Sequence, residues 1–170
     1  MDALLFHPKI VHLPMALSVL MPLLASGLLL AWIRGFLPRR TWLVAVVFQT
    51  ILLGSSMVAM RTGEDDEERV EAVVSETPIE AHEEAAEAFT WAAAAALLLF
   101  GCVGFLGSET NARRAAFAAT AASLVVLALG YRVGHAGGEL VYRHGAASAW
   151  TSSGTPAASG SAVDADIDDD

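Results

Sequence analysis

The stretch Ile10–Ile33, IVHLPMALSVLMPLLASGLLLAWI, contains no Asp, Glu, Lys or Arg. About 20 apolar residues are enough for an α-helix to cross a bilayer, so the run predicts a membrane span at about Leu13–Ile33. His7, Pro8, His12 and Pro14 stand at its entrance. An imidazole held there loses hydration unless something bonds or binds it, which makes these histidines functional candidates. A cleaved signal peptide is the competing reading. The run exceeds an ordinary signal core of about 7–15 residues and only Lys9 supplies positive charge before it, so a retained helix is expected.

Three more runs have spanning length: about 41–60, 88–106 and 115–133. Hydrophobic residues make up 55% of the 170-residue chain and the mean hydropathy is +0.51, values of a small integral membrane protein. In lipid the backbone must satisfy its own hydrogen bonds, and the alternation of a β-barrel is absent. The expected fold is all-α: one bundle of four transmembrane helices over residues 4–147. Residues 148–170 turn to Ser, Ala, Gly, Thr and Pro and close on Asp168–Asp170, the pattern of a disordered acidic tail. Trp150 is its one large apolar residue and is placed on the bundle surface.

The arginines orient the bundle. Arg34, Arg39 and Arg40 follow the first span and Arg113 and Arg114 precede the fourth, with Glu109 the lone acid beside them. Positive short loops stay in the cytoplasm, so both termini and the other eighteen acids are assigned to the outer side. Trp32, Trp42, Trp91 and Tyr131 read as interfacial aromatics. The bilayer is one partner, while a net charge of −9 argues against nucleic acid and anionic lipid. Cys102, the single cysteine, reads as a small packing residue within span three.

Local signals refine the picture. Thr77-Pro78-Ile79-Glu80 reads as a helix start with Thr77 as cap, Pro78 in the first position and Glu80 closing the box. At 100° per residue, His82, Ala86, Phe89, Ala93, Ala96 and Phe100 fall on one line, with Glu80, Glu83, Glu84 and Glu87 opposite, so His82 faces the interior. Glu64–Glu68 reads as a solvated helix start, with a cation site as the sharper alternative. Pro14 either bends the first helix beside His12 or begins it. Ala118 and Ala122 form a small-xxx-small pair for helix contact. Five glycines between Gly130 and Gly145 allow a tight turn or close backbone approach, and a continuing helix puts His135 on one face with Tyr131, Ala128, Leu124 and Phe117.

All five histidines, His7, His12, His82, His135 and His144, fall on the outer side by this topology. Three readings compete for them. They tie helix ends and nothing more; they hold zinc or copper, which needs three or four converging donors; or two of them ligate haem b from different helices. His82 and His135 are the preferred axial pair, with His12 and His144 as alternatives. Tyr131, Arg132 and Arg143 then steer a quinone or a haem propionate, and Phe89, Ala86, Ala93 and Ala128 leave room for the ring. Proton or quinone chemistry without metal is a fourth. Zincin, covalent-haem and phosphate-loop motifs are missing, and no acid or base lies mid-span as an ion path requires.

His7-Pro8-x-x-Val11-His12-x-Pro14-x-Ala16-Leu17, His82, and Gly134-His135-x-Gly137-Gly138-x-Leu140-Val141-Tyr142-x-His144-Gly145 together resemble a family of small bacterial four-span membrane proteins, domain of unknown function 2231. The likeness covers about residues 4–147; Leu13 stands where the family has Phe and Met15 where it has Ile. The family has no settled activity. Its occasional fusion to Rieske or cytochrome c domains implies a redox setting: a bacterial inner-membrane subunit passing electrons between quinol and an outer-face redox protein. A structural or interaction subunit without cofactor is the alternative.

Overall fold

The computed structural model describes residues 9–151, and His7 and the chain after Thr151 lie outside the described residues. Four long helices follow one another: α1 His12–Ile33, α2 Leu43–Glu71, α3 Glu76–Phe105 and α4 Glu109–Tyr142. A 3₁₀ turn, Arg39–Trp42, leads into α2, and a short α5, Ser148–Thr151, follows α4. No strand occurs among the described residues. Each of the four long helices is long and apolar enough to cross a membrane. Substantial packing joins α1 to α2, α2 to α3, α3 to α4 and α4 back to α1, an up-down-up-down bundle.

Small residues at heptad spacing make the seams. α4 buries Ala112, Ala116, Ala119, Ser123, Val126 and Gly130; α2 buries Ala45, Gln49, Leu52, Ser56 and Ala59. These alternating steps of three and four are the geometry of left-handed, shallow-angle packing. On α3 the same rhythm buries Phe89, Ala93, Ala96, Phe100 and Val103, which is the line read from the sequence. The seam of α4 runs one phase away from the Ala118–Ala122 pair: Ala118 is exposed and Ala122 half-buried.

Several boundaries differ from the sequence reading. α2 continues through Thr62 and Gly63 to Glu71, so Glu64–Glu68 lies in its C-terminal part and begins no helix. Ser75, not Thr77, occupies the N-cap of α3, and Pro78 sits in the first turn, where a missing N–H costs nothing. Pro14 likewise lies in the first turn of α1, which starts at His12. Ser148–Thr151 forms a single helical turn at the start of the segment read as the tail.

Past their apolar stretches α2, α3 and α4 run on for two to three polar turns. A second, small core of Val74, Ile79, Leu140 and Ala146, with Val70 against it, holds this crown together. Gly145, at φ +70°, reverses the chain so that Ala146 tucks back under Leu140, and the Ala146 N–H donates to the Leu140 carbonyl. A left-handed backbone there favours glycine.

The opposite, arginine-rich end is locked by side chains. Trp32 Nε1 donates to Glu109 Oε1 at 2.8 Å, and the Arg113 guanidinium lies 5.8 Å over the Trp32 ring. Trp42 Nε1 donates to the Phe100 carbonyl at 3.1 Å while its ring stacks on Phe100, and Arg39 donates to the carbonyl of Val103. Trp32 and Trp42 are therefore buried structural residues rather than interfacial ones. Trp91 and Tyr131 are exposed. Cys102 is exposed too.

Candidate functional site

The crown gathers the histidines of the described residues, but it does not converge them. His82 is half-buried on α3, and its ring lies against Gly137 of α4: a Cβ built on Gly137 would stand 3.2 Å from His82 Cε1 and 3.5 Å from Nδ1. Glycine at 137 makes room for the imidazole. Two more glycines serve the same face of α4. At Gly130 a Cβ would meet Ser18 Oγ at 3.0 Å and Phe89 Cε2 at 3.2 Å; at Gly134 it would meet Met15 Cε at 2.8 Å. The glycine-rich stretch is thus a helical seam that lets α1 and α3 approach, with its turn only at Gly145.

His135 is on the other side of α4. It precedes Gly137 by two residues, which is about 200° around a helix. Its side chain is 63% exposed and its ring stacks on exposed Tyr131, with 8° between planes. Nε2 lies 3.7 Å from Glu139, which Arg143 holds at 2.6 Å. The face shared with Phe117, Leu124, Ala128 and Tyr131 is real, but it looks away from the bundle.

These positions correct the inward aim expected of His135. His82 reaches from α3 onto the backbone of α4 at Gly137, while His135 leaves α4 on the side away from that contact, so the two rings do not face one another. Ala93, which was to leave space, is packed and fully buried, and Ala128 is exposed. His12 and His144 are exposed. No three His, Cys, Asp or Glu side chains among the described residues are grouped to hold a metal ion, so the zinc or copper set of His12, His82, His135 and His144 is not assembled either. Arg143 is committed to Glu139, and Arg132 is exposed.

What the crown does assemble is a carboxylate group across α2 and α3. Glu83 is hydrogen-bonded to Glu67, with Glu64 and Glu71 near it, and its pKa is raised: partial burial comes first, then repulsion from Glu67. Glu83 precedes the apolar part of α3 and belongs to the crown. Its expected place among water-facing acids is only partly right, since it also faces α2. Deeper in the bundle Gln49 is fully buried; its Nε2 donates to the Ala93 carbonyl at 3.0 Å, and its Oε1 has no partner among the described residues. Sequence reasoning searched the spans for charges and passed over this amide; a lone amide in an apolar run was the available signal.

Comparison with family models, with curated proteins and with solved structures gives no match for this chain.

Proposed function

We propose that this chain is a multi-pass protein of the cytoplasmic membrane that acts as a helical interaction subunit. Its arginine end lies in the cytoplasm and its histidine-bearing crown on the outer side, by the charge bias of short loops. One observation carries the reading. The crown is a helical platform with its own core, and on the open face of α4 Gly134, His135, Gly138, Glu139, Tyr142 and Arg143 line a shallow groove of about 310 Å³. Aromatic and arginine side chains held on a rigid helix are the usual anchors of protein recognition.

The redox reading takes a narrower form. A haem b held by exposed His135 takes its second axial ligand from His12, His144 or a partner polypeptide, and electron transfer with a quinol or an outer-face redox protein would then run through that site.

Site-specific photo-crosslinking tests both. A photoreactive residue at Tyr142 should give one discrete protein adduct in host membranes, and the same residue at exposed Leu98 of α3 should give none. An absorption spectrum of the purified single chain should lack a reduced α band. Absence of the Tyr142 adduct, or an α band that disappears in H82A, sinks the proposal.

A further inference from the structure

At the arginine end, α1 and α4 part to leave an apolar groove of about 450 Å³, walled by Leu29, Leu30 and Ile33 on one side and Phe117, Thr120 and Leu124 on the other. Ser26 and Ala121 also line it, and their small side chains leave it open. Leu30, Phe117 and Leu124 are half-exposed or more, so the groove opens sideways, where the bilayer would be. Its mouth is cationic. Arg34 follows Ile33 directly, and Arg114 precedes Phe117 by three residues and so shares its helix face. Arg113 is taken up by Glu109 at 3.6 Å and by the Trp32 ring, and Arg39 by the Val103 carbonyl. Arg34 and Arg114 have no acidic partner among the described residues and are exposed.

We propose that this groove binds an anionic phospholipid, one acyl chain lying between α1 and α4 and the phosphate between Arg34 and Arg114. Basic residues at the cytoplasmic mouth of an interhelical groove are the chemistry that selects acidic head groups. The net charge of −9 pointed the other way because it averages two ends of opposite sign. Five arginines against Glu109 leave this end positive. The inference rests on the membrane placement proposed above.

Native mass spectrometry of the full chain tests it, with phosphatidylglycerol and phosphatidylcholine of identical acyl chains. Phosphatidylglycerol adducts should exceed phosphatidylcholine adducts by on the order of ten-fold, from two arginines at the site. R34Q/R114Q should bring the ratio near one, R40Q should leave it, and A121F should lower binding of both lipids by filling the groove. Equal adducts for the unaltered protein, a ratio kept in R34Q/R114Q, a ratio lost equally in R40Q, or unchanged occupancy in A121F overturns the assignment. Thermal melts confirm that each variant is folded; if R34Q/R114Q does not fold, the R40Q and A121F arms still decide. Release of the protein from membranes by alkaline carbonate is read separately and bears on the membrane placement alone.

Discussion

A Cβ on Gly137 would stand 3.2 Å from Cε1 of His82, so the imidazole of α3 rests on bare backbone of α4. The contact closes the crown. G137L forces a branched side chain into that space and should destabilise the protein by about 1–3 kcal/mol. H82A should recover part of the loss, with a coupling of about 1 kcal/mol or more in a double-mutant cycle. Additive effects in thermal unfolding followed by circular dichroism would show that the two residues do not press on each other.

The Trp32–Glu109 hydrogen bond joins α1 to α4 through a charged acceptor. Such bonds are worth about 1.5–3 kcal/mol. W32F and E109Q should each destabilise by roughly 1–2 kcal/mol, because W32F leaves Glu109 open to water and E109Q keeps a neutral acceptor for the buried indole. The double variant should cost no more than the larger single one. Urea titration in detergent measures all three.

Gln49 carries one satisfied and one unsatisfied end in the middle of the bundle. Q49L removes both polar ends of the buried amide at nearly constant volume, leaves the Ala93 carbonyl within its helix, and should stay within about 1 kcal/mol of the native stability or exceed it. Q49A leaves a cavity and should cost about 2–4 kcal/mol. A Q49L variant as damaged as Q49A would mean that the amide bond itself holds α2 to α3.

Glu83 gives the crown a pH dependence of known sign. Its folded pKa lies above the usual carboxylate value, so the folded state binds more protons than the unfolded one. The stabilisation is full below the ordinary value near 4.5 and is lost as pH rises through the folded value. Protection factors in segment 64–83, taken relative to the intrinsic exchange rate at each pH, should therefore be higher at pH 5 than at pH 7.5. E83Q should flatten the difference, and so should salt, since the group is mostly exposed. Lower protection at pH 5 would contradict the assignment.

The four helices were legible because an uncharged run such as Ile10–Ile33 has few other fates. Their ends were not. Hydropathy falls at Arg61, yet Glu, Asp, Arg and Ala keep the helix going, and Val70, Val74, Ile79, Leu140 and Ala146 support it from points far apart in sequence. The outward direction of His135 follows from the phase of α4. Two heptad lines compete there: Ala112, Ala116, Ala119, Ser123, Val126 and Gly130 on one, Phe117, Ala121, Leu124, Ala128, Tyr131 and His135 on the other. Large side chains suggest a core in a soluble protein. In lipid they gain nothing from leaving the hydrocarbon, and the small residues take the helix contact. His135 rides on the exposed line of α4, the side that the proposed membrane placement turns to lipid and water. His82 was placed correctly because Phe89 and Phe100 share its line with alanines, so size and phase agree on α3.

The segregation of charge between the two ends has an electrical consequence. Five arginines and one glutamate leave about four positive charges in excess at one end, while acids dominate the crown. In a membrane with a negative interior, carrying that excess to the other face opposes about 2.3 kcal/mol per charge at 100 mV, or about 9 kcal/mol in all. In the orientation proposed above, the membrane voltage would therefore act as a proofreader of this chain's insertion, and dissipating it during synthesis should raise the share of inverted molecules.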